Sequence, residues 1–515
     1  MNGDSCSNGT TRIVMDLAVR RHGKSSTLSD SLGIFILVLL ALIWTYCLAQ
    51  AFGSASFTRT LNLLGPLVLG ITAGVVGWHT VRKDASFIWT PFVWLMAGIV
   101  LFYSLGPLIY PLGGSRITGI VNSFIPVDAR QLLATNLLNS AGILFMLVGF
   151  WLVEWWARHH RSGQNRQSMR YVEARTVALL FLIVGGTLEL FLILPYSFGL
   201  LHFVLPGVIV SLGYLFTLGL LVAAYLVACG KKSWYIPFFF LWTFQILVSI
   251  LTFSKGTFLL TLALPVVGAY WGNRKMAWVV IGVLVLTIIY FSLQGFIDYG
   301  RQQLVLYTGN SGQGSVMQRL EITRDWLSGR NLGENSGPSS FAGGWARLDY
   351  APVQAFAMER YNEGYPGHTL KYAMIIFIPR FLWSRKPIIT NMAVHFYALV
   401  TGHHGTHLGL GIFGEGYWDG GWLGVIGLSC LAGVVMAVMT LFVLRWMRED
   451  AFEYLPSVFL GITMAGFSTT ELFVPAIMGG AGFFAAYAII VWLIKEVAAV
   501  RWRRKKIPAS LAGLY

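Results

Sequence analysis

The chain has 515 residues, 56% hydrophobic and only 11% charged, which is more apolar surface than one water-soluble core can hide. A mean hydropathy of +0.65 excludes disordered and fibrous classes, and four cysteines without CxxC or Cys/His spacing exclude a disulfide scaffold and a zinc module. The net charge of +15 suggests a nucleic-acid partner only until the basic residues are placed along the chain, because cations between apolar runs encode topology.

Apolar runs of about 20 residues, each long enough to cross the hydrocarbon layer, predict twelve spans at 31-52, 61-81, 88-111, 134-156, 176-197, 206-229, 233-253, 257-273, 275-297, 420-446, 454-472 and 475-498. The first follows a basic tail, residues 1-30, and is too long for a signal-peptide core, so it is expected to stay as an anchor. With the N-terminus inside, inner segments hold 23 of the 37 Lys and Arg, and the short outer loops only Arg59, Arg116, Arg130 and Lys255. This asymmetry predicts cytoplasmic termini, including a basic tail at 499-515. The expected order is a nine-helix membrane region at 31-297, an outer loop at 298-419 and three C-terminal spans at 420-498.

The outer loop of 122 residues carries the other 10 basic residues, 9 of the 22 acidic ones and 5 of the 10 His. Ordered loops of that length are uncommon and usually functional. Within it Lys371 to Trp383 (KYAMIIFIPRFLW) is apolar but has only 13 residues, the length of a re-entrant or interfacial piece. A full span there would turn the basic C-terminal end outward.

Three outer clusters carry candidate chemistry. Phe253-Ser254-Lys255-Gly256 sits at the tip of a tight hairpin, where Lys255 either snorkels to the interface or binds an anion. Ile378 to Pro387 (IPRFLWSRKP) sets Arg380, Arg385 and Lys386 beside Trp383; this suits either an interfacial anchor or a lipid-linked phosphate, which guanidinium groups grip in a bidentate way. Thr401 to Gly424 (TGHHGTHLGLGIFGEGYWDGGWLG) offers His403, His404, His407, Glu415 and Asp419. A metal pair at His403 and His407 would need a helix, against which Gly402 and Gly405 argue. The glycines permit close approach to a substrate or serve a structural turn, and Glu415 or His407 is a candidate general base. Glu189 in mid-span and Arg347 with Asp349 are further candidates, each equally readable as structural. Walker A, GxGxxG, GxSxG and HExxH motifs are absent.

The order FSKG, a large outer loop with RLD, then IPRFLWSRKP, then GIFGEGYWDGGWLG resembles the Wzy-type repeat-unit polymerases of bacterial O-antigen and exopolysaccharide synthesis, over roughly 250 to 445. The resemblance implies an all-α polytopic, GT-C-like membrane enzyme of the bacterial inner membrane. Its periplasmic loop would contain a re-entrant or interfacial helix. The implied reaction is a metal-independent glycosyl transfer, without cofactor, between undecaprenyl-pyrophosphate-linked oligosaccharides; a chain-length regulator protein is an expected partner and nucleic acid is not. Carried onto this chain, Lys255, Arg380, Arg385 and Lys386 would hold the pyrophosphate, Arg380 also aiding its departure. Glu415 or His407 would act on the acceptor hydroxyl, and Arg347, Asp349, Tyr417 and Trp383 would shape the sugar site. Two departures stand out: Lys255 where the wider superfamily more usually has Arg, and the three histidines beside GEGYWDGG. An O-antigen ligase, or a transporter or flippase without chemistry, is the alternative.

Overall fold

The computed structural model describes residues 27–122, 125–160, 172–201, 205, 207–273, 275–308, 314–328, 344–373, 375–378, 382–383, 386–387, 391–402, 409–449, 451–467 and 471–506, and among these every regular element is helical. Lipid offers no partner to a backbone N–H or C=O, so an apolar run that must cross it has to satisfy itself within one helix. The principal helices are α1 (Thr27–Phe52), α2 (Ala55–Lys83), α3 (Pro91–Gly98), α4 (Ala129–His159), α5 (Ala174–Leu188), α6 (Gly207–Ala228), α7 (Tyr235–Leu251), α8 (Lys255–Asn273), α9 (Met276–Thr308), α10 (Val316–Leu327), α11 (Ala351–Asn362), α12 (Asn391–Thr401), α13 (Gly411–Arg448), α14 (Leu455–Phe467) and α15 (Gly480–Lys506).

Among the described residues, eight helices are long and apolar enough to cross a membrane: Ser31–Phe52, Ala55–Lys83, Ala129–His159, Ala174–Ser197, Ile209–Ala228, Lys232–Leu251, Gly411–Arg448 and Val474–Glu496. The chain is thus an all-helical, multi-pass membrane protein. The other four expected spans also fold as helix. Pro91–Leu105 is a shorter apolar piece, α14 has 13 residues, and α8 and α9 fall outside the eight. The expected loop is itself largely helical, since α9 runs unbroken past residue 297 to Thr308 and α10, α11 and α12 follow. Where an interfacial helix is expected at 371–383, the described residues form two short 3₁₀ turns, Thr369–Tyr372 and Ile375–Phe377.

The helices divide into two compact units, one including Met169–Ser340, the other His22–Ser168 with Phe341–Tyr515. In the first, α6 packs on α5 and α8, and α9 on α8. In the second, α4 and α13 form the main contact, flanked by α1, α2 and α11. Small residues let these backbones meet: a side chain at Gly149 would strike the Cys430 carbonyl, and one at Gly433 the Met146 carbonyl. Starts are marked by capping boxes, Asp128 with Gln131 before α4 and Ser315 with Gln318 before α10. Of the cations counted for topology, Arg448 donates from Nε (3.1 Å) and Nη2 (2.7 Å) to Asp84 Oδ2, tying the end of α13 to the end of α2.

Helix α13 is broken at Gly420 and Gly421, the latter with φ +59° and ψ −146°, a conformation open only to glycine. Eight residues along a straight helix span about 12 Å, yet Gly424 lies directly against the Gly416 carbonyl. Residues 411–419 therefore double back on the start of the long segment after the break. Three of the glycines expected to admit a substrate are approached by the protein itself, Gly416 and Gly424 by each other and Gly421 by the Tyr361 ring, whereas Gly402 and Gly420 face open space.

Substituting Gly433→Leu should push α4 from α13 and lower the thermal midpoint in detergent, at a cost of about 1–3 kcal/mol, whereas Gly427→Leu, on the same helix with nothing near its Cα hydrogen, should leave it unchanged. Equal midpoints for the two variants would refute the close packing.

Candidate functional site

The titratable groups of the second unit converge on the doubled-back segment 411–419. Glu415 is wholly buried. Its Oε2 accepts a hydrogen bond from the backbone N–H of Phe473, while Oε1 has no hydrogen-bond partner among the described residues. One turn on, Asp419 Oδ2 accepts from the Thr369 hydroxyl and the Leu370 N–H, each at 2.8 Å, and its Oδ1 is likewise buried and unpartnered. The i, i+4 spacing puts the two carboxyl groups on one helical face, with the Thr369 hydroxyl close to both. Gly367 permits this approach, since a side chain there would overlap Asp419 and Trp418. Beside Gly414 lies Gln354, fully buried with neither amide atom hydrogen-bonded. Buried polar atoms are nearly always paired, so three such side chains together make this the candidate site of the second unit.

Tyr417 belongs to the wall of this region: its hydroxyl donates to Asn362 Oδ1 (3.2 Å) and its ring packs edge-on against Tyr361 and Trp422. Trp418 donates from Nε1 to the Tyr365 carbonyl (3.2 Å).

Asp349, expected to work with Arg347, turns instead to the start of α11, where its Oδ1 accepts from the Ala351 N–H (3.1 Å). Burial pushes its carboxyl up to about 7, opposed by that N–H and by the facing Tyr110 hydroxyl. Neither Tyr110 Oη nor Asp349 Oδ2 makes a hydrogen bond of ordinary geometry. Arg347 itself is exposed.

In the first unit the FSKG tip is a tight hairpin between α7 and α8, as expected. Phe253 sits in left-handed backbone, φ +49°, which costs a non-glycine residue roughly 1–3 kcal/mol and persists only when surroundings enforce it. Here Arg301 Nε donates to the Phe253 carbonyl (3.0 Å), and the ring is buried against Phe296 and Gly300. Ser254 Oγ accepts from the Thr257 N–H (3.3 Å), capping α8, whose first residue is Lys255.

Arg319 braces the same hairpin. It is the largest fully buried side chain, and its fork donates to the carbonyls of Gly314 (Nε), Leu251 (Nη1) and Ser197 (Nη2), each at 2.9 Å. The guanidinium also lies over the Phe198 and Phe253 rings, at 5.8 and 5.7 Å. Burial lowers its pKa to about 10, which leaves it a cation at neutral pH.

The remaining expected site residues separate. Lys386 donates from Nζ to the carbonyls of Ile376 (3.0 Å) and Ile378 (2.8 Å), so part of its donor capacity is spent on its own chain. Trp383 is exposed. Arg380, Arg385 and His407 lie outside the described residues, as do His403 and His404, and of Lys255 only the backbone is described. Glu189 is buried in the π turn Glu189–Ile193 that prolongs α5, close to Gly213. Sequence reading missed Thr369, Gln354 and Tyr110, which carry no signal apart from polarity beside apolar neighbours; Arg319 reads in the sequence as one of four early-loop arginines that bind an anionic substrate or balance nearby acids, and the structure gives it three backbone carbonyls. Comparison with protein-family models, with curated proteins and with solved structures finds no match for this chain.

Arg319→Lys keeps the charge but cannot reach three carbonyls with a planar fork; it should cost about 1–3 kcal/mol of stability, read as a lower thermal midpoint in detergent. An unchanged midpoint would show that the clamp carries no load. For Asp349 the raised folded pKa means that its stabilising contribution is complete below its ordinary value of 3.8 and is lost as pH rises through about 7. Asp349→Asn should therefore melt several degrees above the wild type at pH 8 and level with it near pH 4. A pH-independent difference would contradict this.

Proposed function

We propose that the chain is a polymerase of lipid-linked oligosaccharide repeat units, with twelve spans, cytoplasmic termini and its site on the periplasmic face of a bacterial inner membrane. The observation that carries the reading is Glu415. It is a buried carboxyl inside the GEGYWDGG segment, with one oxygen anchored by the Phe473 N–H and the other, near the Thr369 hydroxyl, making no hydrogen bond of ordinary geometry among the described residues. Packing alone does not repay the cost of such a group, and ionisable side chains held in that state concentrate at functional sites. Asp419, Thr369 and Gln354 around it supply the donors and acceptors that a sugar requires. The order of motifs along the chain supports the same reading.

In the proposed reaction an acceptor sugar hydroxyl attacks the anomeric carbon of the growing glycan. The bond from that carbon to the pyrophosphate oxygen breaks, a glycosidic C–O bond forms, and the hydroxyl proton passes to Glu415 or His407. Undecaprenyl pyrophosphate leaves as an anion, and the cations of the IPRFLWSRKP segment, Arg380, Arg385 and Lys386, are proposed to stabilise the charge as it develops.

Glu415→Gln and Arg380→Ala should each abolish long-chain polymer in a complementation assay, with membrane levels of the protein intact and single repeats accumulating on the acceptor. Polymer of normal length in both variants would remove the site assignment. Full-length polymer stranded on its lipid carrier would instead identify a ligase.

A further inference from the structure

Helix α10, in the first unit, leaves one face uncovered. At about 100° per residue its side chains fall into three sectors. The inward sector holds Arg319, Ile322 and Trp326, with Ile322 buried against Phe253, Phe296 and Leu304 and the Trp326 ring against Phe296 and Tyr299. A second sector presents Val316, Met317, Leu320 and Leu327, with Met317 at 76%, Leu320 at 47% and Leu327 at 79% exposed, and Arg324 among them. The third carries Glu321 and Asp325. An ordinary surface helix has two faces, one apolar and packed and one polar and wet; a second apolar face needs a second apolar surrounding.

The height of α10 relative to the lipid follows from what holds it. Arg319 donates to the carbonyls of Ser197 and Leu251, and these are the last residues of the membrane-crossing helices Ala174–Ser197 and Lys232–Leu251. The Gly314 N–H, just before α10, also donates to the Ser197 carbonyl (3.3 Å). The helix is therefore fastened at the level where two spans end, which is where hydrocarbon gives way to headgroups.

We propose that α10 is a membrane-surface helix, with Val316, Met317, Leu320 and Leu327 seated at the boundary between acyl chains and headgroups. The three sectors then have three partners. The fold takes Arg319, Ile322 and Trp326, lipid takes the apolar stripe, and water takes Glu321 and Asp325. Arg324 lies within the lipid-facing stripe, where its long stem runs along apolar surface while the guanidinium reaches phosphate oxygens. This rests on the membrane fold alone and stands or falls independently of the enzymatic proposal.

The test uses the full-length chain in liposomes of mixed zwitterionic and anionic phospholipid, its native cysteines replaced by serine and a nitroxide placed singly at 320, 327, 321 or 325. The ratio of collision with oxygen, which concentrates in lipid, to collision with a nickel chelate, which stays in water, should be several-fold higher at 320 and 327 than at 321 and 325. Equal ratios would overturn the proposal. Exclusion of both reagents from 320 and 327 would also overturn it, by showing protein, such as a second copy of the chain, on that face. In the unsubstituted chain, a lipid-phase carbene reagent should label Met317, Leu320 and Leu327 and spare Glu321; labelling of the spans without α10 would refute it with no mutation involved.

Discussion

Four charged side chains of this fold, Arg319, Lys386, Glu415 and Asp419, are caught by backbone groups that helices have left over. A helix satisfies its own middle but leaves orphan carbonyls at one end and orphan N–H groups at the other, and near lipid water is a poor substitute partner. Arg319 takes the carbonyls of Ser197 and Leu251, where two spans stop, and Lys386 takes those of Ile376 and Ile378. With opposite sign, Asp419 takes the N–H of Leu370 and Glu415 that of Phe473. This saturation of helix ends fixes the hairpin tip, the short 3₁₀ turns and the doubled-back segment, and so sets which titratable atoms remain unspent.

The residues fall into two kinds on that criterion. Arg319 is fully committed and acts as a brace, although a buried arginine in an outer segment invites a catalytic role. Glu415 and Asp419 each commit one oxygen and leave the other bare. Positioning by the first oxygen and availability of the second is what a general base or sugar acceptor needs, and a side chain free at both atoms would lack the aim.

Much of the fold was legible because a run of about 20 apolar residues admits one solution in lipid. All twelve expected runs are helical in the described residues, and the FSKG hairpin lies where the short gap between runs required. The outer region was less legible. GEGYWDGG reads equally as loop or helix, since glycine weakens any local signal, and only the contacts of Gly416 with Gly424 and of Gly421 with Tyr361 reveal a helical reversal. The pairing of Glu415 with Phe473, 58 positions apart, and the meeting of Asp349 with Tyr110, have no periodicity to betray them. The exposed apolar stripe of α10 also escapes sequence reading, because the charges at 319, 321, 324 and 325 interrupt it along the chain.

The second unit is assembled from two distant stretches of chain, with Met169–Ser340 between them in sequence. Helix α4 is synthesised some 250 residues before its main partner α13, a delay on the order of ten seconds or more at ordinary rates of elongation. Throughout that interval Thr135, Asn136, Asn139 and Ser140, all buried in the finished fold, have no α13 to face. Nascent α4 must therefore wait as a polar-striped helix in the insertion machinery or against α1 and α2, where Asn136 donates to Asn62 (3.3 Å). The intervening unit can close in the meantime.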